Sequence, residues 1–409
     1  LELDGVPLSD QFDIGNFSSA TRDFADAGLL GRVEVLRGPA SALYGSSAIG
    51  GVVAMRTLEP RDFATPGPTS GRIATLYRGL DASSNVQAGV ALKGSAVSLL
   101  AAGSYREGEQ ADSAVLRTAA DRQDYSRDAA LLKLIGENRN GHEWRISAMR
   151  QAYDVRSDIT SLLGSGRFRS TTRLEGDDRH AMDLVSAEYR FASGWFNDGV
   201  LRVFSAQTDI RQFTLDERAA ARTPASIERQ FFFDQHTRGA ELNLWRDGEL
   251  AGWAHRFGLG LEYSDTRTEE SRDGLSTSLV DGATTRNVLG ESFPLRDFPI
   301  TETREFGAFV SDQLDRGPLS LMVALRFDDN RLSPSSDTIY AADNPATSVV
   351  ALSDSDLSPK LGLIFRAGAD VDIYLQYAEG FRAPPFEDAN IGLDIPLFNI
   401  RAIPNPELR

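Results

Sequence analysis

The connections between strand-like segments in this chain alternate between short and long, and few architectures accommodate that. Period-two patterns of apolar and polar residues occur near 72–80, 84–92, 96–106, 126–136, 142–153, 180–193, 199–212, 232–246, 252–267, 302–314, 319–331, 358–367 and 371–381. In the clearest of them Phe257, Leu259, Leu261 and Tyr263 share one face, and Gly258, Gly260, Glu262 and Ser264 share the other. Short turns fall at Lys93–Ser95, Glu137–Gly141, Gly194–Asp198, Asp247–Ala251, Asp315–Pro318 and Gly368–Asp370. Between them lie long polar loops at Glu107–Tyr125, Asp154–Arg179, Phe213–Phe231, Thr268–Thr301 and Leu332–Leu357. Only the first hairpin has a short connection where a long loop is expected. A soluble sandwich also alternates along its strands, but it has no reason to keep turns at one end and loops at the other. A transmembrane antiparallel β-barrel does, with short periplasmic turns and longer extracellular loops. The reading is therefore all-β, and residues 72–409 are assigned to such a barrel.

Residues 1–60 have a different texture. The stretch Leu29–Thr57 reads as a strand in which Val33 and Val35 alternate with Glu34 and Leu36, a helical turn over Ala40–Tyr44 entered at Pro39, a glycine-rich turn, and a second strand Gly51–Thr57. Gly38, Gly45, Gly50 and Gly51, with the serines and alanines among them, let the backbone approach other surfaces closely, as a plug inside a barrel requires. The glycines miss the dinucleotide spacing, and no Gly-Lys-Ser/Thr follows them, so a phosphate-cradling loop is rejected. Residues 61–71, with the Pro/Gly tract Thr65–Gly71, read as a linker.

The run VEVLRGPASALYGSSAIGGVV, with the opening LELDGVPLSDQFDIGNF, resembles the plug domain of TonB-dependent outer-membrane receptors. The motif rests on Arg37, Gly38, Pro39, Tyr44, Gly45, Gly50 and Gly51. Farther along, Phe381-Arg382-Ala383-Pro384 resembles the family's Phe-Arg-Ala-Pro box, and Asn405-Pro406-Glu407-Leu408 its Asn-Pro-Asn-Leu box. The parity of the connections runs segment 371–381 outward, so both boxes are expected outside the cell. The resemblance implies an active transporter of the outer membrane of a Gram-negative bacterium, not an enzyme, embedded in outer-membrane lipid and driven by the periplasmic TonB energy-coupling protein. Barrels that enclose a plug have about 22 strands; about thirteen are legible here, so the chain is expected to belong to a longer receptor and to leave sheet edges unpaired.

For the cargo, the paired boxes imply haem, free or delivered by an extracellular haemoprotein, with a ferric siderophore as the alternative. Either is transported ligand; no permanently bound cofactor and no resident metal is implied. The box residues Phe381, Arg382, Pro384, Asn405 and Pro406 are candidate binding residues. So are Phe12, Asn16, Phe17, Arg22 and Phe24 of the plug loop Ser9–Asp26, whose aromatic and polar groups suit a bulky planar ligand. Haem receptors of this kind commonly place a histidine between the boxes, yet Pro385–Pro404 contains none. Of the four histidines, His180 at the extracellular end of its strand is the best-placed iron ligand, followed by His236; His142 and His255 lie beside periplasmic turns. A tyrosine can serve instead, with Tyr340 in a long loop the candidate. Glu34 and Arg37 are candidates for ion pairs that lock plug to barrel, with a pair inside the plug as the alternative.

Trp144, Tyr153, Tyr189, Trp195, Phe196, Trp245, Trp253 and Tyr377 lie near segment ends and suit interfacial girdles. The loop charges Glu269, Glu270, Arg272 and Asp273 read as solvated. Other classes find less support. A formal charge of −16 opposes nucleic-acid binding. There is no cysteine for a thiolate site, and no Gly-x-Ser-x-Gly elbow for a lipase. A passive porin needs no plug. A signalling receptor would carry a further amino-terminal domain.

Overall fold

The computed structural model describes the chain except residues 10–24, 39–47, 64–66, 112–120, 346, 369, 386–388, 396–399, 403–404 and 406–409. The amino-terminal unit is a four-stranded sheet ordered β2-β1-β4-β3, built from β1 (Glu2–Leu3), β2 (Val6–Pro7), β3 (Leu30–Arg37) and β4 (Gly51–Thr57). β3 and β4 pair antiparallel, whereas β1 runs parallel to β4. The expected helical turn over 40–44, with Pro39, Tyr44 and Gly45, lies outside the described residues. Of the motif glycines, Gly51 has φ +139°, and a Cβ there would stand 2.2 Å from the Leu36 carbonyl oxygen. Only glycine fits where the chain turns back onto β3.

The second unit is one large antiparallel sheet of fourteen strands, thirteen of which adjoin in chain order while β14 (Thr284–Thr285) pairs with β13 off that path: β5 (Thr69–Arg78), β6 (Ser83–Lys93), β7 (Val97–Glu109), β8 (Arg122–Glu137), β9 (Glu143–Asp158), β10 (Arg173–Phe191), β11 (Asp198–Arg218), β12 (Ala225–Leu250), β13 (Trp253–Ser278), β17 (Ile300–Arg316), β18 (Leu319–Ser335), β19 (Leu352–Arg366) and β20 (Asp372–Ala378). The short strands β14 (Thr284–Thr285), β15 (Asn287–Val288) and β16 (Glu291–Ser292) belong to the β13–β17 loop, and β21 (Leu393–Ile395) with β22 (Ile400–Ala402) forms a hairpin of its own. Each of the thirteen alternating segments is a strand, and turns and loops alternate in length except at β5–β6 and at β11–β12. β5 begins at Thr69, inside the tract read as linker.

The strands overrun the expected loops. β11, β12 and β13 extend to 21, 26 and 26 residues, so the loop expected at Phe213–Phe231 shrinks to residues 219–224. About 9–11 residues cross a bilayer; beyond it water wets the outer face, apolar alternation ends, and the ladder continues unseen in the sequence. Ala251 and Gly252, at φ +53° and +78°, close the β12–β13 hairpin in two residues, the geometry such turns demand.

The sheet has two unlike faces. Phe257, Leu261 and Tyr263 of β13, Phe306 and Val310 of β17, and Val323, Leu325 and Phe327 of β18 are exposed on the outside, an apolar belt for lipid. Above it the outward positions turn charged, as in the Asp265–Arg304 pair at 3.0 Å. The inner face is polar and glycine-rich and holds the plug. Tyr153 and Trp245, expected in a lipid girdle, sit on this inner face: Tyr153 lies opposite buried His180, and Trp245 opposite inward Gly258.

Candidate functional site: plug, lumen wall and loop cap

The plug packs against strands β6–β10 through one apolar cluster. Leu3, Val6, Leu29 and Phe63 of the plug side meet Ala91, Leu100, Ala129, Leu131, Met149, Met182 and Leu184 of the wall. Ion pairs stand at its margin. Lys133, at 1% side-chain exposure, lies 3.0 Å from Asp4, and Arg145 lies 3.2 Å from Glu59. Asp4 also accepts from the Thr57 backbone N–H at 2.9 Å and from the Thr57 hydroxyl at 2.6 Å. Arg202 of β11 donates to the Gly5 carbonyl at 3.2 Å and pairs with Glu188 at 2.7 Å and with Glu241. The plug is thus tied to the wall through Asp4, Gly5 and Glu59. Glu34 takes the within-plug alternative: its carboxylate lies 2.5 Å from Arg32 of the same strand. Arg37 is exposed at the end of β3, and Gly38 donates its N–H to the Gly50 carbonyl at 3.1 Å.

Above this contact, register aligns inward side chains across the wall. Arg127, Tyr153, His180, Ile210, Phe233 and Glu270 follow one another on β8 through β13. The Arg127 guanidinium lies 4.9 Å from the Tyr153 ring centroid, within cation–π range. His180 is 4% exposed. The other histidines are engaged on the outer face: His236 with Ser205 at 2.9 Å, His255 with Asp312 at 2.8 Å and His142 with the Tyr189 hydroxyl at 2.7 Å. His180 alone of the four faces the lumen. One step below it, Thr208 meets Ser9 at 2.9 Å, where the plug loop departs. Phe12, Asn16, Phe17, Arg22 and Phe24 lie outside the described residues.

Loop residues pack over the inner face of the wall. Ile210, Phe231, Phe233, Phe298, Leu332 and Ala389 form a buried apolar cap. Arg272 holds Asp297 at 2.6 Å and Glu291 at 3.0 Å, and Arg296 holds Glu269 and Asp337 at 3.1 Å each. Glu270 and Asp297 have no exposed surface, so Glu269, Glu270 and Arg272 are not the solvated loop charges expected but the fastening of a folded loop. Burial pushes the Asp297 carboxyl up to about 6, against the lowering pull of Arg272. Tyr340, in the short helix α1 (Thr338–Asp343), is 1% exposed and donates its hydroxyl to the Asn390 carbonyl at 2.9 Å. That hydroxyl, the candidate tyrosine ligand, is engaged here in holding the loop.

Phe381, Arg382 and Pro384 turn inward from β20. They line a cavity of about 690 Å³ together with Glu2, Glu34 and Arg56 of the plug and Arg202, Glu241, Glu262 and Arg326 of the wall. The first box therefore meets the plug across the lumen, while His180 lies outside that lining. Asn405 is exposed, and Pro406 lies outside the described residues. Sequence reasoning missed Lys133, although a lysine at an inward position amid Leu131, Leu132 and Leu134 is itself a signal of a buried partner.

Residues 119–409 match the family profile described as TonB dependent receptor-like, beta-barrel, and residues 1–52 match the TonB-dependent Receptor Plug Domain. The hemin receptor of Yersinia pestis is 46% identical over 59 residues, 14% of this chain and 8% of that protein. Among solved structures, the hemophore receptor HasR of Serratia marcescens, in complex with its hemophore HasA and heme, superposes with a TM-score of 0.70 at 17% identity, covering 100% of this chain and 59% of that one. The ferripyoverdine receptor of the Pseudomonas aeruginosa outer membrane gives 0.66 at 15% identity, covering 94% and 50%. This chain thus spans little more than half the length of those receptors, and at these identities the likeness is one of fold. With both domain profiles matched, and a plug sheet seated against an antiparallel barrel wall, the chain belongs to the TonB-dependent receptor family.

Proposed function

We propose that this chain belongs to an outer-membrane receptor that actively imports a bulky iron-containing ligand, haem first among the candidates. The observation that carries the reading is the plug itself, fixed to β6–β10 by an apolar seat and buried ion pairs. A lumen obstructed in this way has no standing path, so cargo passes only if something drives the plug aside. Ligand binding shifts that equilibrium no further than its differential affinity for the two states. A periplasmic TonB-type coupling protein supplies the remainder, and no covalent chemistry is involved.

Three features support haem: the short stretch of close similarity to a hemin receptor, lumen-facing His180 beside Tyr153, and aromatic residues in the cap. Neutral imidazole suits iron, and tyrosinate is a known alternative. The second reading, a ferric siderophore, is favoured by the commitment of Tyr340 to Asn390 and by the absence of histidine from 385–404. Extracellular delivery by a haemoprotein fits the long β11–β13 extensions, which raise a surface above the lipid. The test is growth of an iron-starved, receptor-deficient Gram-negative host carrying the full-length gene, fed haemin or ferric siderophores. Growth on haemin that vanishes without the coupling protein supports the reading. Growth only on a siderophore replaces the cargo, and growth on neither removes iron uptake.

A further inference from the structure

Inward arginines on the strands either side of β12 are held by carboxylates. Arg272 of β13 holds Asp297 at 2.6 Å and Glu291 at 3.0 Å, and Arg218 of β11 holds Asp216 at 2.8 Å. Arg229 of β12 differs. It lies on the inward face shared by Phe231 and Phe233, opposite Thr214 of β11 and Gly274 of β13. Among the described residues no carboxylate stands within ion-pair distance of its guanidinium, and its Nε is buried with no hydrogen-bond partner. The acids near it are engaged elsewhere. Asp216 accepts from the Thr171 hydroxyl at 2.7 Å through Oδ1 and from Arg218 at 2.8 Å through Oδ2, and Glu291 is paired with Arg272.

Like charge stands beside it as well. Arg167, in the helical turn Gly166–Phe168 of the β9–β10 loop, and Arg218 both repel Arg229. The turn is held in place by Phe168, buried with Ile159 and Leu174. Three guanidinium groups thus share Asp216. A guanidinium keeps its proton when buried, and a buried charge without a counter-charge is costly. Burial, with Arg167 and Arg218, pulls the Arg229 group below its ordinary value, whereas for Arg272 burial is outweighed by Asp297 and Glu291 and the group is raised. Gln212, one inward step along β11 from Thr214, is 8% exposed, and its Oε1 is also buried without a partner. Turned about its last bond, that amide presents its NH2 group instead. We propose that Arg229, with Arg167, Arg218 and Gln212 around it, binds an oxyanion that a guanidinium fork grips by two oxygens: a carboxylate carried by the cargo, or free phosphate. The site lies two inward steps above Phe233 and outside the lining of the 690 Å³ cavity, so it holds the charged end of a ligand on the approach. Only the cargo as source of the anion rests on the transport reading above.

Haemin carries propionate carboxylates that its dimethyl ester lacks, so the two ligands separate the anion from the rest of the cargo. Binding of each to the purified full-length receptor in detergent is measured for the parent, Arg229→Gln and Arg229→Lys. Arg229→Gln is expected to weaken haemin by about ten- to a hundredfold and to leave the ester unchanged, with Arg229→Lys between. Because the guanidinium has no partner to lose, the melting temperature of Arg229→Gln in phosphate-free buffer should not fall, which a merely structural arginine would not allow. In a second arm, millimolar phosphate in place of chloride should raise the melting temperature of the parent and not that of Arg229→Gln. That difference with haemin affinity untouched by the substitution assigns the site to free phosphate. Equal weakening of haemin and ester, or no difference between parent and Arg229→Gln in either arm, overturns the site and leaves transport standing. If haemin does not bind the parent, the haem reading falls, and the phosphate arm alone decides the site.

Discussion

The Nζ of Lys133 stands 3.0 Å from Oδ2 of Asp4, joining the middle of β8 to the turn between the first two plug strands with 1% of the lysine side chain exposed. The same carboxylate ties that turn to Thr57 at the end of β4. One buried ion pair therefore couples the internal closure of the plug to its seat on the wall. Removing one partner leaves the other charge buried and uncompensated.

Lys133→Met is expected to weaken plug seating by about 3–5 kcal/mol, the usual cost of breaking a buried pair. Limited proteolysis of the full-length receptor should show faster cleavage of the plug, with the barrel still resistant. Adding Asp4→Asn should recover part of the loss, because the amide oxygen still accepts from the Thr57 N–H. Unchanged plug resistance in Lys133→Met would show the pair to be incidental.

Gly260 and Phe309 make a second coupled pair. Gly260→Ala places a methyl group 2.0 Å from the Phe309 ring and is expected to cost about 1–3 kcal/mol as overpacking. Phe309→Ala removes the obstruction, so the double variant should be less destabilised than the sum of the two single changes. Denaturant unfolding of the four proteins reads the coupling, and simple additivity would refute the packing described.

Tyr340→Phe removes only the hydroxyl that reaches the Asn390 carbonyl. A loss of about 1 kcal/mol is expected, confined to the cap. Hydrogen exchange should quicken in residues 337–344 and 389–392 and stay unchanged in β8–β10. Equal quickening in both regions would show that the cap is not a separate unit.

Asp297 sets a pH dependence. Its carboxyl is raised to about 6 in the folded loop, above the unfolded value of about 3.9, so the folded loop binds the proton more tightly. Stability from this group is fully present below about pH 4 and is lost as pH rises through about 6. Arg272, Arg296, Glu270, Glu291 and Asp343 all face it. Acidification from pH 7.5 to 5.5 should therefore raise the hydrogen-exchange protection of residues 291–298, once the intrinsic pH dependence of exchange is divided out, and Asp297→Asn should flatten that response. Protection that falls on acidification would contradict the assignment.

Strand number and parity were legible because the bilayer imposes apolar alternation on one face: Phe257 to Tyr263 announce themselves, and so do Leu321 to Phe327. Where β11–β13 leave the lipid, Thr214, Asp216 and Arg218 share the inner face while Phe213 and Leu215 share the outer one with Arg211 and Glu217, so neither face is set by lipid and hydropathy no longer distinguishes strand from loop. Tyr153 and Trp245 misled for a related reason, since an aromatic near a strand end looks alike whether it faces lipid or lumen until register assigns its face. Glu270 and Arg272 resembled solvated charges because their partners, Asp297 and Glu291, arrive from a loop 19 to 27 residues away. Candidate site residues depended on the same long-range folding. The inward, buried placement of His180 is a matter of register, whereas the engagement of Tyr340 with Asn390 required the loop to be in place.

The most direct test of the account is accumulation of radio-iron from labelled haemin in cells expressing the full-length receptor, with and without the coupling protein. Saturable accumulation that depends on the coupling protein and is reduced by His180→Ala is expected. Accumulation that persists undiminished when the coupling protein is removed would contradict it, because a plug seated as this one is would then not be holding the lumen closed.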